Sequence, residues 1–154
     1  IDPRRFSSRE RFDRALAKVV DQSKARLIVL AGFMRILSPW FVRRYSGRIL
    51  NIHPALLPSF PGTHAVGDAL RARVKVTGVT VHFIDEKVDH GPVILQERVS
   101  IKRKDTKESL MQRIHRVEHR LYPKAIGLVL SGKARPKIYR QFNMYNDPIF
   151  GVKK

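Results

Sequence analysis

Two short runs of nearly unbroken apolar residues, RLIVLAG (Arg26 to Gly32) and RILNIHP (Arg48 to Pro54), constrain the fold more than any other feature. Each is too short for a buried helix and too continuous for a strand with one wet face. Such runs are what strands covered on both faces look like, as in a parallel sheet. Each also follows a helix signal. Before the first run, Phe12, Leu16, Val19 and Val20 recur at helical spacing, and Ser7 with Glu10 reads as a capping box, which predicts a helix over 7–24. Before the second, Ser38 as N-cap and Pro39 at the first helical position predict a helix over 38–45. Helices alternating with buried strands require an α/β sheet.

The second half of the chain adds a different pattern. LLPSFPG enforces a rigid loop, and residues 64–73 are weakly helical. VKVTGVTVHFID (Val74 to Asp85) reads as a long strand in which Gly78 marks a bulge or close approach. EKVDHGP then turns the chain into VILQERVSI (Val93 to Ile101), so the two strands are expected to form a hairpin. Asp105 with Glu108 should open a long helix whose inner stripe is Leu110, Met111, Ile114, Val117 and Leu121. Pro123 should kink that helix and Gly132 end it. The division expected is one folded unit over 1–132 and a tail over 133–154 holding six basic residues and one acid.

The 154 residues are one domain's worth, and 31 Lys plus Arg against 13 Asp plus Glu leave a net charge of +18. The absence of cysteine excludes disulfides, thiolate catalysis and zinc–thiolate sites. No run approaches the roughly 20 apolar residues of a membrane span, and the polar N-terminus does not resemble a signal peptide, so a cytoplasmic protein is expected. The charge calls for an anionic partner: nucleic acid, an acidic membrane surface or a phosphorylated small molecule. The first residue is Ile rather than Met, which suggests a fragment.

Ligands of α/β sheets bind beyond the carboxyl ends of the strands, which directs attention to Asn51 and His53. Strand alternation puts both on one face, with Ile52 on the other. An amide can donate to a developing oxyanion while an imidazole handles a proton, as acyl transfer requires. The structural alternative is that Asn51 caps a turn and His53 belongs to the loop. Asp89, in DHGP, is either ordinary hairpin composition or a carboxylate that stabilises an imidazolium. His82 is as readily packed as catalytic, and His90 reads as a solvated turn residue. His115 and His119 have a metal-compatible i, i+4 spacing but no HExxH pattern, so no metal is expected. Glu118 falls off the apolar stripe and reads as solvated. Nothing local distinguishes Arg9 and Arg35 among the arginines. No Gly-rich phosphate loop is present.

AGFMRILSPWFV, RILNIHPALLPSFPG, GVTVHFIDEKVDHGPVILQ and HRVEHRLYP, in that order, closely resemble the folate-dependent phosphoribosylglycinamide formyltransferases, from about Arg9 to Gly132. The resemblance implies an α/β, Rossmann-like, mostly parallel sheet with an antiparallel C-terminal hairpin, lacking the N-terminal strands. It implies formyl transfer from the co-substrate 10-formyltetrahydrofolate to glycinamide ribonucleotide, in purine biosynthesis, without a metal. Asn51 would hold the formyl oxygen, His53 would donate the proton, and Asp89 would favour the charged imidazole and organise the proton shuttle. Folate would be bound by Arg9, Met34, Arg35, Ile36, Leu37, Asn51, Ile84, Asp85, Glu86, Lys87, Val88 and Asp89. The ribonucleotide would be bound by His115, Arg116, Val117 and Glu118.

The chain departs from that pattern in lacking the usual first strand and its Ser-Gly-X-Gly-Ser-Asn phosphate turn, which should expose a sheet edge and weaken substrate binding. It also carries Asp68 where the family often has Gln. Two competing readings remain: a formyltetrahydrofolate hydrolase of the same fold, and a basic nucleic-acid-binding module.

Overall fold

The structure, a computed structural model, describes residues 1–136. After a single 3-10 turn at Pro3–Arg5, helix α1 runs over Arg9–Gln22. Its N-cap is Ser8, which accepts the Arg11 N–H, and not the expected Ser7, whose hydroxyl takes the Arg11 guanidinium instead. Two adjacent serines can both cap, and the first turn simply begins one residue later. Strand β1 is limited to Ile28–Leu30. It is not covered on both faces as expected, since Val29 is 42% exposed. Among the described residues it pairs with β2 alone and stands at the edge of the sheet.

Helix α2 (Pro39–Arg44) starts as its sequence predicts, with Ser38 accepting the Phe41 N–H and Pro39 in the first turn. Asp13, buried in α1, accepts the Ser38 backbone N–H at 2.5 Å and so fixes α2 against α1. Strand β2 (Ile49–His53) pairs parallel to β1, with Leu30 opposite Asn51. The short helix α3 (Ala65–Arg71) leads to β3 (Val76–Phe83) and β4 (Val93–Ser100).

The four strands form one mixed sheet in the order β1-β2-β3-β4, within the expected α/β architecture. The expected parallel majority is not found among the described residues. Only β1–β2 is parallel, while β2–β3 and β3–β4 are antiparallel. Parallel neighbours need a crossover along the sheet. The seven-residue α3 does not provide one, so the chain enters β3 at the end where it left β2. The expected hairpin is present, with a bulge where the register shifts between Val81 and His82.

Helix α4 covers Lys107–Leu130 and is capped by Thr106 and Ser109 reciprocally, rather than by Asp105 and Glu108. Asp105 turns instead to Arg113, the Lys102 N–H and the Ser109 hydroxyl. Pro123 is accommodated within a helix that continues to Leu130, and Gly132 follows the Ser131 cap with φ of +71°. Most of the tail expected over 133–154 lies outside the described residues.

Helices cover both faces of the sheet. On one, Leu50, Val79, Val81 and Phe83 pack against Leu110, Ile114, Val117 and Leu121 of α4. On the other, Ile49 packs with Ala17 of α1 and Phe41, Val42 and Tyr45 around α2. Tyr122 reaches from α4 to the strand tips, its hydroxyl 2.6 Å from the Leu30 carbonyl and 3.1 Å from that of Leu50.

Candidate active site

The alternation of β2 sends Leu50 and Ile52 into the α4 core and places Asn51 and His53 on the opposite face. Pairing with β3 sets Asn51 opposite His82 and His53 opposite Thr80. These groups stand at the carboxyl end of β2, where an α/β sheet presents its ligand cleft.

The loop after His53 is held by Thr80 and Gln96. The Thr80 hydroxyl donates to the Ala55 carbonyl at 2.6 Å and accepts from the Leu57 N–H and the Gln96 amide, which also donates to the Leu57 carbonyl. Gly78 is required beneath this loop. A Cβ there would lie 2.3 Å from the Glu97 carbonyl and 2.4 Å from Leu56. The loop in turn presents the Phe60 carbonyl 2.8 Å from His53 Nε2. A carbonyl only accepts, so Nε2 carries a hydrogen. His53 is buried, at 4% exposure.

The β3–β4 turn brings in the carboxylate. Asp89 has φ of +49°, a conformation that Asp tolerates better than most residues. Its Oδ2 accepts the Gly62 N–H at 2.7 Å and lies 3.4 Å from His53 Nδ1, while Oδ1 lies 3.7 Å from His82 Nε2. Asp85 steadies the same turn, accepting the Lys87 N–H at 2.9 Å and pairing with exposed His90 at 2.6 Å. With His53 charged, both ring N–H groups have an acceptor, Phe60 on one side and Asp89 on the other.

A cleft opens from these side chains. Of the residues expected to bind folate, Met34, Arg35, Ile36, Leu37, Asn51 and the whole run Ile84 to Asp89 line it, whereas Arg9 does not. Arg9 is exposed on the first turn of α1. Leu30, Phe33 and Val42 add to the apolar wall, and Met34, Ile36 and Val88 are 76%, 58% and 53% exposed.

His115, Arg116, Val117 and Glu118 lie on α4 and do not line this cleft. Val117 belongs to the core, whereas His115 and Arg116 are exposed. Glu118 is not the solvated residue its position suggested. Its side chain is 19% exposed, and burial pushes its carboxyl up, opposed by His115, His119 and His53. The His115 and His119 rings stack at 6.5 Å, and among the described residues no group of His, Asp and Glu is arranged to hold a metal.

His82 is the residue that sequence reasoning undervalued. It is 2% exposed and lies within reach of Asn51 and Asp89. Strand alternation left it undecided, and only the β2–β3 register, a non-local pairing, could have placed it.

The family model for formyl transferases matches residues 1–126. The chain belongs to the formyl transferase family. It is 52% identical over 132 residues to the trifunctional purine biosynthetic protein adenosine-3 of Gallus gallus, covering 86% of this chain and 13% of that protein. It is 44% identical over 130 residues to phosphoribosylglycinamide formyltransferase of Bacillus subtilis, covering 84% of this chain and 67% of the relative. The crystal structure of phosphoribosylglycinamide formyltransferase from Bacillus halodurans superposes with a TM-score of 0.83 at 45% identity, covering 93% of this chain and 72% of that one. The chain thus spans about two thirds of the bacterial relatives and about an eighth of the trifunctional one. In this formyl transferase the Asn51–His53–Asp89 cluster and the cleft lie within the matched residues.

Proposed function

We propose that this chain carries the transfer of a formyl group from 10-formyltetrahydrofolate to the amine of glycinamide ribonucleotide, a step of purine biosynthesis. The observation that carries this reading is the convergence of an amide, an imidazole and a carboxylate at the inner end of one apolar cleft. The similarity to the phosphoribosylglycinamide formyltransferases of Bacillus subtilis and Escherichia coli supports the choice of substrates.

The folate supplies the formyl group. Its flat ring system suits the wall of Leu30, Phe33, Leu37, Val42 and Ile84, and the Met34–Leu37 segment and the Asp85–Asp89 turn line the same cleft. Arg9 is assigned to the same ligand at its outer end. The His115–Glu118 turn of α4 is assigned to the ribonucleotide, where Glu118 is suited to accept from ribose hydroxyls. Attack of the amine on the formyl carbon builds negative charge on oxygen, and an Asn51 N–H donates to it. The amine must lose a proton and the departing folate nitrogen must gain one, so a shuttle is enough. His53 moves that proton while Asp89 balances its charge.

The test is a transfer assay on the purified chain, with release of tetrahydrofolate followed in the presence and absence of glycinamide ribonucleotide. Release that depends on the ribonucleotide is expected. Asn51→Ala should lower kcat by about 10²–10³ and His53→Ala by about 10²–10⁴. Release at the same rate without the amine would identify a hydrolase. Failure to bind a folate analogue, together with steeply salt-dependent binding to heparin, would identify a polyanion-binding module instead.

A further inference from the structure

His82 lies next to the reacting groups, yet the mechanism above gives it no role. Its Nδ1 is 2.8 Å from the Phe83 carbonyl, which can only accept. Nδ1 therefore holds the ring hydrogen, and in the neutral ring Nε2 holds a lone pair. That lone pair faces Asn51 Nδ2 at 3.4 Å, an atom that can only donate. Turning the Asn51 amide over would set its oxygen against the lone pair. One N–H of Asn51 is thus committed to His82, and the other N–H of the same nitrogen is left for the cleft.

The surroundings keep His82 in this state. Burial disfavours its charged form, and the neighbouring charge of His53 acts in the same direction. The Phe83 carbonyl, Asp89 and Asp85 act in the opposite direction, but the net shift is downward. A hydrogen on Nε2 would turn the ring toward Asp89 Oδ1, 3.7 Å away, and release Asn51. The bulge between Val81 and His82 falls where the ring must be aimed, a common place for bulges beside active sites.

We propose that His82 is a positioning residue, a neutral imidazole whose Nδ1–H tautomer fixes which end of the Asn51 amide faces the formyl oxygen. This role rests on the formyl-transfer reading of the site.

The first test needs no activity. In ¹⁵N-histidine NMR of the wild-type chain at pH 7, His82 should show a protonated Nδ1 and a bare Nε2. An Nε2–H tautomer or an imidazolium would overturn the proposal. The second test is a double-mutant cycle on kcat. His82→Ala should lower kcat by up to about 10²-fold, as a misplaced catalytic group does, with the folate KM little changed. In an Asn51→Ala background the same substitution should change kcat by less than about twofold, because its target is gone. Losses that multiply would show that His82 acts independently of Asn51 and would overturn the proposal. Wild-type protein that holds the expected tautomer but transfers no formyl group would refute the formyl-transfer reading instead, and an active wild type with the wrong tautomer refutes the positioning role alone.

Discussion

Asp89 meets His53 across the cleft with Oδ2 3.4 Å from Nδ1, while the same oxygen accepts the Gly62 N–H at 2.7 Å. The carboxylate is therefore held by backbone of one loop and aimed at a ring carried by β2. Asp89→Asn keeps the shape and removes the charge. It should lower kcat by about 10²-fold or more, because the charge facing the proton carrier is lost. Steady-state rates across pH check this, and an unchanged kcat would rule out the role given to Asp89.

Gly91 supports that aim from two residues away. A Cβ at Gly91 would fall 1.9 Å from the Phe83 carbonyl, so Gly91→Ala must open the turn. Overpacking of this kind costs about 1–3 kcal/mol. A lower urea midpoint is expected together with a lower kcat, since the displaced turn carries Asp89. A stability loss with kcat intact would show that the turn and the site are separable.

Glu118 should tie stability to pH. Burial raises its carboxyl above the usual range, so the folded chain holds that proton more firmly than the unfolded chain. The resulting stability is complete at pH values below the ordinary glutamate range, and it is lost as pH rises through the raised value. Glu118→Gln, which cannot ionise, should melt at a higher temperature than the parent at pH 8, with the gap closing toward pH 4. Thermal denaturation at both pH values measures it. A variant that melts lower at pH 8 would contradict the burial argument.

Asp105 has the opposite sign. The Arg113 guanidinium, joined by the Lys102 N–H and the Ser109 hydroxyl, holds its carboxyl well below the usual range. Its contribution is present above the ordinary aspartate range and is lost as pH falls through the lowered value. Asp105→Asn should therefore melt below the parent at pH 7 and approach it in strong acid. Equal melting temperatures at pH 7 would show that the Asp105–Arg113 contact contributes nothing net.

What could be read in advance followed from local rules. Asn51 and His53 were legible because a two-residue period and a strand's carboxyl end need no knowledge of partners. The α4 stripe was legible for the same reason, through its helical period. The N-caps of α1 and α4 were each misplaced by one residue, since Ser7 and Ser8, or Asp105 and Thr106, are equally able to cap, whereas Ser38 was read correctly because Pro39 follows it. The direction of β3 was not legible, because it depends on how α3 returns the chain. Nor were His82 and the Phe60 carbonyl, which meet Asn51 and His53 only through a pairing and a loop closure.

The hydroxyl of Tyr122 has one hydrogen and two carbonyls in reach, Leu30 on β1 and Leu50 on β2. Burial pushes its ionisation far above neutrality, so the hydrogen stays in place across the working range. The parallel strand tips and the middle of α4 are therefore one mechanical unit. Amide exchange at β1, β2 and the Tyr122 turn of α4 would proceed through a single shared opening, and the floor of the cleft can breathe only as often as that helix lifts away.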